Sequence, residues 1–381
     1  MSINLPEGLE DVEAVRRRLY REKRAQLEQH LEVPVLLYWG KWEGPNIRAL
    51  TLAEDFTRPT FLLCIPGGET VAFAQQIETD ELRPLAEELD IHAYGPVSEL
   101  KELLTAHVGK FDEVAVEASR DFFGLDRLPP HYYEFVSSLA AVRSADDILL
   151  PFRSVKSPTE LALMKAACLV TMPVFDELER KVVPGVAEAE LLDFLLHHTI
   201  DVADGTAFPP FVASGPRSQH PHPQRRSTRK VGAGDRVIVD YGVSYRGYKS
   251  DVTRTFIAGG DPEGDPYYEI SVKLIEILRG MDLSEATPYD VGREVAAAVR
   301  DAGLSDRERH GYGHGLGVET HDPHPYIVGV PMPWTDRRFE DGMVFTFEPG
   351  FYDDTGGFRL EDDYVVSGGR AVPMQEFELP T

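Results

Sequence analysis

VIVDYGVSYRGYKSDVTRTF, residues Val237–Phe256, is two runs of apolar and β-prone residues separated by SYRG. Asp235 to Tyr241 and Lys249 to Ile257 therefore predict the two strands of a β-hairpin. With the turn centred between Tyr245 and Arg246, position 240 stands opposite position 251. Directly opposed residues share one face of a sheet, so Asp240 and Asp251 confront each other at short range. Two ionised carboxylates in that position repel unless a cation lies between them. Taken alone, the pair is equally compatible with two exposed acids at a hairpin end.

A second stretch repeats the arrangement. TFEPGFYDDTGGFRLEDD, residues Thr346–Asp363, predicts a hairpin whose turn, centred between Asp354 and Thr355, sets Glu348 opposite Glu361. The apolar neighbours Phe345, Phe347, Phe358 and Leu360 draw both acids out of water, where unpaired carboxylates are disfavoured. A salt bridge to Arg359 is the plain alternative, but one arginine cannot balance four acids. Asp240 to Glu348 spans 108 positions and Asp251 to Glu361 spans 110. That near-constant offset is what duplication of a helix-helix-hairpin unit leaves behind. Between the hairpins, HGYGHGLGVETHDPHP (His310–Pro325) packs four histidines into sixteen positions, with glycines at 311, 313, 315 and 317. Glycines let a backbone approach closely, and histidine is the commonest nitrogen ligand of metals. HExxH, GxSxG, the phosphate-binding P-loop and GxGxxG are all missing, so serine-hydrolase and dinucleotide chemistries lose their usual anchors.

Outward from these motifs, Ser157-Pro158-Thr159-Glu160 predicts a capping box with proline at the first helical position, opening a helix that runs to about Lys181. A second helix follows near Glu188 to His198, then a proline-rich loop with His220 and His222. Further helices are expected near Tyr267 to Gly280 and Tyr289 to Ala302. The cap marks a domain boundary near 150. Before it, a helix from about Leu9 to His30 and buried strands at Pro34–Trp39 and Pro59–Ile65 begin an alternating α/β domain without a cluster of chemical residues.

The 381 residues, 42% hydrophobic and 27% charged, have a globular composition and exceed one ordinary core. A formal charge of −25 opposes binding to a phosphate backbone, which excludes nucleic acid as a partner. The longest apolar runs are too short to span a membrane. MSINLPEGLEDVEAV has neither a basic start nor a following apolar stretch, so a cytoplasmic address is expected. Cys64 and Cys168 have no CxxC partner and are expected as buried thiols.

The ordered motifs DYG, SDVTRTF, GHGLG with a histidine seven beyond, EPGFY and FRLED make residues 150 to 370 resemble the pita-bread metallopeptidases: methionine aminopeptidase, prolidase, aminopeptidase P and creatinase. The preceding residues resemble, in length and position, the creatinase-type N-terminal domain of prolidases. The resemblance implies an α/β fold class, with a creatinase-like domain over 1–150 and a pita-bread catalytic domain over 151–381.

It also implies a site. Asp240 would chelate one metal, Asp251 and Glu361 would bridge two, and His314 and Glu348 would complete the second. This oxygen-rich set suits Mn²⁺ or Co²⁺, with Zn²⁺ possible. Two such ions about 3.5 to 4 Å apart lower the pKa of a shared water, with Glu348 moving the proton. His321 matches a histidine that steadies the developing oxyanion, and His222 one that contacts substrate near proline. His310, Tyr352 and Arg359 match pocket residues. The implied reaction is hydrolysis of Xaa-Pro dipeptides by a homodimer acting on small peptides with proline second. The alternative is an aminopeptidase P acting on longer peptides. Some prolidases carry a carboxylate-gripping arginine where this chain has Pro325, which leaves Arg217, Arg337 and Arg338 as candidate anchors. A creatinase-like enzyme needs no metal ligands and a silent binding module would not keep them, whereas all five stand here.

Overall fold

A computed structural model describes residues 4–40, 44–120, 122–223, 226–332 and 335–379. Two compact units divide the chain, Glu7–Glu160 and, together with residues 4–6, Leu161–Thr381. The first contains a six-stranded sheet of β1 (Val35–Trp39), β2 (Thr60–Cys64), β3 (Thr70–Gln75), β4 (Asp90–Tyr94), β5 (Glu113–Val116) and β6 (Ala141–Ser144), in the order β4-β3-β2-β1-β5-β6. Both faces of β1 and β2 are buried, as their unbroken apolar runs require. The helix Val12–Glu28 starts on Asp11, whose side chain accepts the Ala14 N–H.

At the predicted capping box, Ser157 N donates to Glu160 Oε2 at 2.7 Å and Glu160 N to Ser157 Oγ at 3.3 Å. The helix it opens, Pro158–Thr171, ends ten residues before the expected Lys181. Pro173 brings no N–H to continue the ladder and instead opens a new helix, Pro173–Lys181. Glu188–Val202 follows.

The next strands are β7 (Gly205–Thr206), β8 (Phe211–Ser214), β9 (Arg236–Tyr241), β10 (Val243–Tyr245), β11 (Tyr248–Lys249) and β12 (Val252–Ile257). Strand alternation sorts β9 cleanly. Val237, Val239 and Tyr241 pack with Val174, Phe175, Leu178, Leu191 and Leu195 of the helices, so Ile238 and Asp240 face the other way. Ile238 meets Phe211, Ala213 and Tyr352 there.

The register of the first hairpin differs from expectation by two residues. Asp240 pairs with Thr253, not Asp251. The tip pairs Tyr245 with Tyr248, and Arg246 and Gly247 both have positive φ, 50° and 81°. A two-residue turn of that handedness matches the twist of the strands, and it moves the centre of the hairpin one position along. An even slip keeps each side chain on its face. Asp251 therefore still shares a face with Asp240, as a diagonal rather than a direct neighbour.

Helices Pro266–Gly280 and Pro288–Asp301 precede the second set of strands, repeating the helix-helix-hairpin order. These strands are β13 (Gly313–Gly315), β14 (Asp322–Ile327), β15 (Val344–Phe347), β16 (Gly350–Asp353), β17 (Gly356–Arg359), β18 (Asp362–Ser367) and β19 (Arg370–Pro373). Here the expected register holds: β16 and β17 pair Asp353 with Gly356 across the Asp354-Thr355 turn, and Gly350 with Arg359. Asp353 Oδ1 accepts the N–H groups of Thr355 at 2.7 Å and Gly356 at 3.1 Å, a local side-chain lock on the turn.

Candidate metal centre

The functional side chains converge where the two hairpins meet. Glu361 forms an isolated β-bridge with Thr253, which is itself opposite Asp240, so Asp240, Thr253 and Glu361 form one row across three strands. Thr253 Oγ1 donates to Glu361 Oε2 at 2.6 Å. Asp251 stands one residue before β12 and Glu348 one residue after β15, both at the inner ends of their strands.

His314 arrives from β13, which can lie against its neighbours only because it is glycine-flanked. A Cβ on Gly313 would stand 1.9 Å from the Thr346 carbonyl oxygen, and one on Gly315 2.5 Å from that of His324. Gly313→Ala is thus expected to push β13 off β15, costing about 1–3 kcal/mol in urea unfolding. It should also weaken metal uptake by displacing His314, whereas Gly264→Ala, which meets nothing within 4 Å, should change neither.

The His314 Nδ1 lies 3.1 Å from the Gly315 carbonyl oxygen. Donating there leaves the Nε2 lone pair facing the acids, 3.7 Å from Asp251 Oδ2 and 3.8 Å from Glu348 Oε1. One ligand atom each from Asp251, His314 and Glu361 falls within 4.8 Å of the others. Asp240 Oδ2 accepts from Arg359 Nη2, while its Oδ1 is buried with no hydrogen-bond partner among the described residues. A buried acceptor without a donor, beside three more acids and a lone-pair nitrogen, fits a cation.

Electrostatics point the same way. Burial pushes Asp240 up to about 7 against the pull of Arg359. Burial, then the neighbouring Glu361, holds Asp251 and Glu348 well above the usual carboxylate range. Glu361 is raised by burial, opposed by Arg359 and its bond from Thr253. Burial lowers His314 to about 4, so its ring is neutral at neutral pH and able to act as a ligand.

These groups line a cavity of about 860 Å³. His222, His310, His321 and Arg359 line it too, with an apolar wall that includes Phe208, Phe211 and Tyr326. The His321 ring packs on that of His314 at 4.1 Å between centroids, and burial lowers it to about 4. His310 Nδ1 sits 2.7 Å from the Gly311 carbonyl and its Nε2 2.8 Å from the Tyr352 hydroxyl, which in turn accepts from Arg359 Nη1 at 3.3 Å. All ten sequence-derived residues are thus brought together, eight of them buried or partly so and His222 and His321 on an exposed wall.

Other expectations are not met. Arg217 Nε pairs with Glu188 at 2.8 Å and Arg338 pairs with Glu285, and neither these nor Arg337 lines the cavity. Sequence reasoning missed Thr253, at the centre of the ligand row, and Asp363, whose carboxylate oxygens both accept the Asp251 N–H at 3.2 Å. Asp363 is two residues beyond Glu361, and strand alternation alone could have singled it out.

The profile of metallopeptidase family M24 matches residues 162–368. The chain belongs to metallopeptidase family M24. Among relatives of this M24 chain, an Xaa-Pro dipeptidase of Pyrococcus furiosus is 27% identical over 320 residues, covering 80% of this chain and 87% of its own. The uncharacterized peptidase YqhT of Bacillus subtilis is 33% identical over 257 residues, 65% of this chain and 70% of its own. The crystal structure of dipeptidase PepE from Mycobacterium ulcerans superposes with a TM-score of 0.80 at 25% identity, covering 96% of this chain and 97% of the other. The chain is a divalent-metal peptidase with the pita-bread fold.

Proposed function

We propose that this M24 peptidase hydrolyses Xaa-Pro dipeptides using two divalent ions. The observation that carries the reading is the approach of Asp251, His314 and Glu361 to within 4.8 Å in a cavity also lined by Asp240 and Glu348. Asp240, Asp251, His314, Glu348 and Glu361 would hold the ions. Mn²⁺ is the favoured metal, with Co²⁺ and Zn²⁺ as substitutes, because four of the five ligands supply oxygen. Bound there, such ions supply a low-pKa water and polarise a carbonyl.

The chain's own groups do the rest. Glu348 takes the proton of the attacking water and passes it to the leaving amine. The neutral His321 ring donates a hydrogen bond to the carbonyl oxygen as charge develops on it, where a donor helps most. His222 contacts the substrate near proline. Arg359 holds Asp240 in place while bonding to Tyr352, and Tyr352 orients His310. Phe208, Phe211 and Tyr326 exclude water and offer the proline ring an apolar wall.

The proposal includes a creatinase-like domain over 1–150, a pita-bread domain over 151–381, a homodimer and a cytoplasmic address. The free, buried Cys64 and Cys168 support a reducing compartment. Among the described residues, no helix is long and apolar enough to cross a membrane. A second reading, an aminopeptidase P for longer peptides, is favoured by the absence of any arginine but Arg359 from the described cavity lining. A peptide-length series with Mn²⁺ decides between them. An Xaa-Pro dipeptide is expected to be cleaved with the higher kcat/KM, and a one-residue-longer peptide cleaved equally well would overturn the dipeptidase reading.

A further inference from the structure

Among the described residues the two hairpins are joined by a single β-bridge, Thr253 to Glu361, in which Glu361 N donates to Thr253 O at 3.1 Å. Their sheets are otherwise separate. One hydrogen-bonded bridge is a weak hinge on which to hold carboxylates from opposite sides at a fixed spacing. Side chains reinforce it. Thr255 Oγ1 lies 2.9 Å from both the N–H and the carbonyl oxygen of Arg359, replacing the ladder bonds that the backbones do not make.

Two further contacts are reciprocal. Asp363, on β18 of the second half, reaches across to accept the backbone N–H of Asp251 with both carboxylate oxygens at 3.2 Å. Arg254, on β12 of the first half, reaches back so that Nη1 donates to the backbone carbonyl of Glu361 at 2.7 Å, while Nη2 pairs with Asp362 at 2.7 Å. Each half thus grips the main chain of the other half's ligand, and the gripping residue stands two or three positions after its own half's ligand.

A carboxylate is a costly choice for the Asp363 position, which is 2% exposed. A buried charge is disfavoured unless strongly compensated, and a hydroxyl or amide could accept one N–H at lower cost. Its electrostatic neighbours are Glu361, Asp362 and Arg254. The one cation among them is thus already engaged by Asp362 and Glu361.

We infer that Asp363 and Arg254 are positioning residues that fix the spacing of Asp251 and Glu361 and so set the affinity of the dinuclear site for divalent ions. The inference rests on the metallopeptidase reading above. Partners behind metal ligands typically govern metal affinity by roughly 10- to 100-fold.

The test is titration of the chelator-stripped full chain with Mn²⁺ by calorimetry, with melting curves recorded in the metal-free state. The unaltered chain is expected to take up two ions. Asp363→Ala and Arg254→Met should weaken uptake by roughly 10- to 100-fold, chiefly at the second ion. Asp363→Asn keeps one acceptor but breaks the two-oxygen grip on the Asp251 N–H, so it should weaken Mn²⁺ binding while leaving the metal-free melting temperature unchanged or raised. A merely structural role cannot produce that opposition, and Asp363→Asn decides the matter if the larger truncations fail to fold. Asp363→Asn binding Mn²⁺ as tightly as the unaltered chain, or losing affinity only together with melting temperature, overturns the inference alone. An unaltered chain that takes up no divalent ion overturns the metallopeptidase reading and this inference with it.

Discussion

Glu361→Ala is expected to lower kcat/KM for an Xaa-Pro dipeptide by on the order of 10³-fold or more and to reduce Mn²⁺ uptake below two ions per chain. The loss corresponds to about 4 kcal/mol of transition-state stabilisation, within the several kcal/mol that a bound metal contributes. Glu361 has no substitute in the row it shares with Asp240 and Thr253, since Thr253 offers only a hydroxyl that already donates to it. Removing a buried acid that is poorly compensated without metal should leave the metal-free chain no less stable. Fold loss therefore does not confound the measurement. Asp251→Ala is expected to behave alike. Steady-state kinetics and calorimetry on the same preparations check both, and near-normal turnover in either variant would remove the dinuclear site from consideration.

The second large effect is on stability. In the metal-free chain burial raises Asp240 to about 7 and holds Asp251, Glu348 and Glu361 above their ordinary range. A carboxyl whose folded pKa exceeds its unfolded value of about 4 favours the folded state fully below that value. The contribution is lost as pH rises through the folded pKa, because the folded chain binds more protons than the unfolded one. Above about pH 7 the histidines that burial lowers are neutral in both states, so the metal-free chain should melt lower at about pH 8 than at about pH 7. Divalent ions displace those protons, so Mn²⁺ should bind more tightly at the higher pH and reverse the order. At a free concentration near 100 times Kd, the ion contributes about 2.7 kcal/mol. For a catalytic unit of this size that is roughly 5–10 °C in melting temperature. Scanning calorimetry with and without EDTA at the two pH values measures it. Identical curves with and without Mn²⁺ at the higher pH would refute the proposed centre.

The two hairpins show why legibility varied within one site. The second announced its register through local chemistry: Asp353 caps its own turn, and the Asp354-Thr355 centre follows from the sequence. In the first, the turn is Arg246-Gly247, and an arginine at φ 50° is not a residue that advertises a left-handed conformation. The expected centre was therefore one residue early, and Asp240 faces Thr253. Asp240 and Asp251 still share one face because the slip was even and strand faces have period two. The break of the first catalytic-unit helix at Pro173 was visible in the sequence and was missed because apolar spacing continues through it.

By itself the sequence determined the kind of site: four acids and a histidine in ordered motifs, an α/β architecture and a repeated helix-helix-hairpin plan, all of which depend on local pattern and residue chemistry. Only the tertiary structure decided who holds whom. Arg359 belongs to Asp240, Asp363 grips the backbone of Asp251, and Arg254 grips that of Glu361. These contacts join residues more than a hundred positions apart, and no local periodicity records them. They follow from how two hairpins dock at a seam with one β-bridge among the described residues.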